Sequence, residues 1–188
     1  MNVAVSPSSS PNTALSYKDA LIRANGKLAE DSLTRFIGYG LQKGRAMGTL
    51  KGVSLSQIIE TPVAENLMVG VATGLSLKGY KPVVFIERMD FLPNALDAIV
   101  NHLDKINKMS AGQFTPSAII RAVVGNKNKP LYTGLTHTQD FAAALREMVS
   151  FPVLQLFTAA DVGPSYDQAI HNRSNHQSTI LVEYKDFV

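Results

Sequence analysis

Residues 58–80, IIETPVAENLMVGVATGLSLKGY, decide how this chain folds. The run up to Glu60 reads as the end of an apolar strand, and Pro62 interrupts it. From Val63 to Lys78 the spacing predicts a helix, with Leu67, Met68, Val69, Val71, Ala72, Leu75 and Leu77 on nearly every side, so burial on most faces is expected. Glu65 stands in its first turn. An ionised carboxylate among apolar neighbours is costly unless something pairs with it. An acid at that place also favours the positive end of the helix by ~0.3–1 kcal/mol, so the residue alone leaves both readings open.

The flanking sequence repeats the alternation. Tyr17–Glu30 has helical spacing at Ala20, Leu21, Ala24 and Leu28, and LTRFIG (33–38) is a short apolar strand. Residues 38–52, GYGLQKGRAMGTLKG, are glycine-rich without periodicity and predict a long, mobile loop. KPVVFIE (81–87) is a strand, Asn94–Lys108 a helix, and SAIIRAVVG (117–125) a strand followed by a Gly/Asn/Lys loop. Beyond it come a helix near Gln139–Met148, the strand PVLQLF (152–157), a helix over Pro164–Asn172, and TILVEY (179–184). β-branched strands alternating with helices call for a parallel sheet covered on both faces. The expected architecture is a doubly wound, mostly parallel α/β sandwich of three layers. In such sheets ligands bind beyond the carboxyl ends of the strands, which gathers the loops after Gly38, Glu60, Glu87 and Gly125 on one rim.

Bulk composition narrows the classes. At 188 residues and 45% hydrophobic, residues 16–188 suffice for one domain with a good core. Residues 1–15, MNVAVSPSSSPNTAL, lack the basic start and apolar centre of a signal peptide and read as a disordered tail. Cysteine is absent, which excludes disulfides and thiolate chemistry and fits a cytoplasmic setting. The net charge of +3 comes partly from Lys43, Arg45, Lys51, Lys127 and Lys129, spread too thinly to form a phosphate track.

Three further features stand near the expected rim. Phe91, in ERMDFLPNALD, could offer a flat face to a ring or pack as a core aromatic. His137, in GLTHTQD, precedes a helix and suits either a local hydrogen bond or proton traffic. MSAG (109–112) ends a helix with a glycine stop. There is no GxGxxG after a strand, no GxxxxGK[ST], no GDG with a downstream asparagine, no HExxH and no GxSxG. These absences count against a Rossmann nucleotide enzyme, a zincin and an α/β-hydrolase.

The order of these segments resembles the pyrimidine-binding domain of thiamine-diphosphate enzymes, found in the beta subunits of 2-oxo acid dehydrogenases and the central domain of transketolases. The resemblance covers about residues 16–184. ETPVAEN is similar to the family's strand-turn segment with its catalytic glutamate. ERMDFLPNALDAIVNHLDKINKMSAG is similar to the segment with the ring-stacking aromatic, and GLTHTQD to the loop that brings an active-site histidine.

The resemblance implies that Glu65 shares a proton with the thiamine ring nitrogen N1′ and that Phe91 stacks on the pyrimidine. Pro62 and Met89 would also contact the cofactor, and His137 would handle substrate protons. It further implies a cofactor shared with a separately encoded diphosphate-binding subunit that carries Mg²⁺, in an α2β2 assembly with an interface of more than ~2,000 Å². The chain alone should be inactive. The substrate would be a 2-oxo acid or ketose, decarboxylated or split to a transferable ketol or acyl unit. Family beta subunits carry a further C-terminal domain that has no counterpart in this sequence. That favours a decarboxylase, carboligase or transketolase-like enzyme over a lipoyl-complex dehydrogenase. A noncatalytic regulatory or assembly subunit is the rival reading, and a basic nucleic-acid module a third.

Overall fold

The runs IIRAVV and TILVEY are buried at every position, as strands covered on both faces must be. They are β4 (Ile119–Val124) and β6 (Thr179–Tyr184) of a computed structural model that describes residues 15–128 and 134–185. With β1 (Thr34–Gly38), β2 (Ile58–Glu60), β3 (Lys81–Ile86) and β5 (Val153–Leu156) they form one sheet in the order β2-β1-β3-β4-β6-β5. Every pairing is parallel. The expected tail, residues 1–15, lies outside the described residues except for Leu15, and so does part of the loop after β4, residues 129–133.

One face packs against α1 (Tyr17–Ala29) and α6 (Ala159–Ser174), with Leu21, Leu28, Val162 and Tyr166 among the buried contacts. The other face packs against α3 (Glu65–Leu77), a π-helix over Asp97–Leu103 and α5 (Ala142–Met148), through Met68, Val69, Ile99 and Leu145. Helices on both faces make the three-layer, doubly wound α/β architecture that the alternation predicts. Among the described residues no helix is long and apolar enough to cross a membrane.

The local exceptions have physical causes. Residues 38–52 pack where the sequence predicts a mobile loop. Leu41, Ala46 and Leu50 are fully buried around α2 (Leu41–Gly44), and Arg45, Ala46 and Met47 take positive φ, which erases any helical period. Asn94–Lys108 is not one α-helix. Pro93 has no N–H to give and lies in a 3₁₀ helix over Met89–Ala95. The Ala98 N–H donates instead to Asn66 Oδ1 of α3 (3.1 Å). The next turns widen to i→i+5, the Asp104 N–H reaching the Ile99 carbonyl. Only α4 (Ile106–Met109) is α-helical there. Helix α6 starts five residues before Pro164, because Thr158 and Asp161 form a reciprocal capping box. Helix α3 is not buried on most sides: Val63 before it and Leu67 within it are 67% and 48% exposed.

A charged cluster lies inside the α1/α6 layer. Arg121 on β4 is 0% exposed, with Nε and Nη2 donating to the two carboxylate oxygens of Glu183 on β6 at 2.7 and 3.0 Å. Its Nη2 also donates to Thr49 Oγ1 (2.9 Å), and the Tyr166 hydroxyl donates to Glu183 Oε1 (2.7 Å). Pairing on these terms is what lets two charges sit away from water. Through Thr49, the cluster fastens the segment after β1 to the sheet.

Candidate functional site

Because all six strands run the same way, their carboxyl ends meet at one rim, and α3 opens there with Glu65 in its first turn. The segment VAENL has no capping side chain, since the residue before the helix is Ala64. The turn therefore closes on the carboxylate-bearing residue itself. Glu65 is 4% exposed. Its Oε2 lies 3.5 Å from Asn94 Nδ2, the limit of a hydrogen bond, and its Oε1 is buried with no partner among the described residues.

That orphaned oxygen has company. Among the described residues six buried side-chain polar atoms lack a partner, and four of them, on Thr61, Glu65, Arg88 and Asp90, lie in the segments after β2 and β3. More than about nine in ten buried polar atoms are satisfied in folded proteins. Their concentration at this rim leaves several polar atoms there open to a partner.

Phe91 and His137 come from loops after different strands and meet at a centroid distance of 5.2 Å, edge to face at 89°. This is the favoured aromatic geometry. His137 Nδ1 lies 3.1 Å from Thr136 Oγ1. Two ties hold their segments together. Asp90 Oδ1 accepts from the backbone N–H (3.3 Å) and the side-chain Nε2 (2.9 Å) of Gln139, and Met89 Sδ accepts the Phe141 N–H (3.3 Å).

Gly125, past the end of β4, presses on the same segment from behind. A Cβ there would lie 1.9 Å from the His137 carbonyl oxygen. Gly125→Ala is expected to displace the histidine segment and to cost ~1–3 kcal/mol as overpacking. Urea unfolding together with the His137 ring resonance checks this.

Two residues near the acid complete the rim. Tyr39 follows β1, and burial pushes its phenol up to about 12, with the Glu87 and Glu65 carboxylates adding to the rise and Arg88 opposing it. It remains a neutral donor across the physiological range. Glu60, at the end of β2, accepts the N–H groups of Gly40, Leu41 (2.9 Å) and Gln42 (2.8 Å), so its carboxylate is spent on holding the loop after β1.

The structure thus gathers Glu65 with the 3₁₀ helix that carries Phe91, and Phe91 with His137. Pro62 is exposed in the turn before α3. Met89 is 0% exposed and its sulfur accepts the Phe141 N–H, so it lies in the core beneath the rim. Asn94, Asp90 and Gly125 escaped notice, because their importance lies in partners 29 or more residues away for the two side chains and in a backbone approach for the glycine. The one sequence signal was the placement of Asp90 and Asn94 on either side of Phe91 in the quoted aromatic segment.

No family model matches the chain. Single-sequence relatives do. A rice (Oryza sativa subsp. japonica) protein, pyruvate dehydrogenase E1 component subunit beta-2, mitochondrial, is 31% identical over 114 residues, 61% of this chain and 30% of that one. The corresponding beta subunit of Dictyostelium discoideum is 30% identical over 132 residues, 69% of this chain and 36% of its own. That of Rhizobium meliloti is 28% identical over 114 residues. Over these stretches this chain is similar in sequence to pyruvate dehydrogenase E1 beta subunits. It spans about a third of the length of these relatives. The fold agrees: a split-gene transketolase, solved as an inactive beta4 tetramer, superposes with a TM-score of 0.67 at 18% identity, over 92% of this chain and 52% of that one. The resemblance of this E1 beta relative to the pyrimidine-binding domain of thiamine-diphosphate enzymes is thereby borne out in sequence and in architecture.

Proposed function

We propose that this chain is the pyrimidine-binding, beta-type subunit of a split thiamine-diphosphate-dependent enzyme that decarboxylates a 2-oxo acid or transfers a ketol or acyl unit. The observation that carries the reading is the buried Glu65 carboxyl with Oε1 left without a partner among the described residues. An acid so placed fits the ring nitrogen N1′ of an aminopyrimidine, with which a carboxyl can share a proton. When bound, thiamine diphosphate supplies a carbon centre that can add to a substrate carbonyl and take up the electrons of the breaking bond.

Every other role belongs to side chains. Glu65 holds a proton at the ring nitrogen, in a wall whose low polarity strengthens the bond. Phe91 stacks on the ring and fixes its plane. His137 accepts or returns substrate protons. Pro62, exposed in the turn before α3, closes the same side.

The diphosphate and its Mg²⁺ fall to a separately encoded alpha-type subunit, in an α2β2 assembly. Support comes from α3, which shows Leu67, Gly70 and Gly74 on its exposed side, with Val71 half-buried beside them. A Cβ added at either glycine would meet nothing within 4 Å, so a neighbouring chain can approach the backbone closely. Leu67→Asp is expected to leave this chain folded and to weaken association by at least ~2 kcal/mol, about 30-fold, measured as loss of co-purification with the partner.

The test of the function is to co-express the chain with one carrying a GDG motif and a downstream asparagine, then to titrate the purified complex with thiamine diphosphate and Mg²⁺. Saturable binding that vanishes when either chain is left out is the expected result. A stable complex that binds no thiamine diphosphate would overturn the reading.

A further inference from the structure

We propose that Asp90 is a positioning residue, which holds His137 against Phe91 by latching the two rim segments together. Asp90 immediately precedes Phe91, and Gln139 lies two residues after His137. A single carboxylate oxygen, Asp90 Oδ1, accepts from Gln139 at both its backbone N–H and its side-chain amide. Whatever fixes Gln139 fixes the histidine, because His137 sits on a single 3₁₀ turn, Gly134–His137, too short to hold a place by itself.

The remaining ties act differently. The Phe141 N–H goes to the sulfur of Met89, a weak acceptor. The tight approach of Gly125 to the His137 carbonyl stops the segment from moving inward but cannot stop it from swinging out. Asp140 is directed elsewhere: Oδ1 accepts the Ala142 N–H at the start of α5, and Oδ2 accepts the Tyr184 hydroxyl (2.7 Å). Asp90 joins the loop after β3 to the loop after β4 through charge-assisted bonds, which are about twice as strong as neutral ones. Its other oxygen, Oδ2, is buried and without a partner among the described residues, so the carboxylate is committed to the latch through Oδ1. The significance for catalysis rests on the proposed role of His137, but the latch itself is a property of this chain.

The chain has four histidines, and His102, His171 and His176 serve as internal references for the ring resonance of His137, assigned with His137→Gln. In the unliganded chain, Asp90→Ala is expected to move the His137 resonance to the range of an exposed histidine and to speed amide exchange at Gln139 at least about tenfold, with the other three unmoved. Asp90→Asn, which keeps an acceptor at Oδ1, should hold the His137 resonance near its original place. A His137 signal that is unchanged in Asp90→Ala, or lost equally in Asp90→Asn, overturns the latch. If Asp90→Ala does not fold, Gln139→Ala decides: it removes the shorter bond from an exposed residue, and an unmoved His137 resonance again rejects the proposal. No cofactor enters these measurements, so their failure leaves the thiamine reading intact, and failure of thiamine binding leaves the latch standing.

Discussion

Glu65→Gln, in the proposed complex with a diphosphate-binding subunit, is expected to lower turnover by ~10²–10⁴-fold, the range for loss of a positioned proton-transfer group. Glutamine keeps the length and can still meet a ring nitrogen through its amide, but it cannot carry the exchangeable proton. Thiamine diphosphate affinity should therefore change far less than turnover. The complex should stay intact, because among the described residues Glu65 makes one bond, the long one from Asn94. Steady-state rates with several 2-oxo acids and ketoses, beside a calorimetric titration of the cofactor, check both halves. An assembly with undiminished activity would assign this chain the noncatalytic role that the sequence also allowed.

Glu183→Ala is expected to destabilise the isolated chain by ~3–5 kcal/mol, the cost of leaving one partner of a buried pair behind. The charge left over would be Arg121, which is sealed from solvent on β4 and lies over the Phe85 ring with its carbon at 4.9 Å from the centroid. Tyr166 and Thr49 cannot compensate, since a hydroxyl carries no charge. The double replacement Arg121→Met with Glu183→Leu should recover most of the loss, because a well-packed apolar pair is about as stable as a buried ionic one. Urea unfolding midpoints at constant slope separate these outcomes.

The strands were readable because their burial on both faces leaves continuous β-branched runs, and the register of β4 against β6 follows from two such runs of six residues each. Residues 38–52 were misread because positive φ at Arg45, Ala46 and Met47 scatters Leu41, Ala46 and Leu50 out of any period while still burying them. The stretch after Pro93 was misread for the opposite reason. Its apolar spacing at Ala95, Ala98, Ile99 and Leu103 suits an α-helix, and only the bond from Ala98 to Asn66 reveals why the turns widen. In the candidate site, Glu65, Phe91 and His137 were proposed from the order of three segments, whereas the ties seen around them cross 29 to 52 residues and leave no local pattern. Met89 and Phe91 lie two residues apart on one 3₁₀ helix and face different ways, Phe91 toward His137 and Met89 into the core.

The bonds from Arg121 to Thr49 and to Glu183 span 72 and 62 residues. Contacts so distant in the chain form late in folding, since the intervening loop must be closed first. The arginine that Thr49 meets on β4 has its charge paired only once the last strand has docked beside it. A molecule still emerging from the ribosome, or one clipped before Glu183, would carry Glu65 and Phe91 on a sheet with an unpaired charge buried inside it. Competence to receive a ligand is in this way tied to having the whole sheet in place.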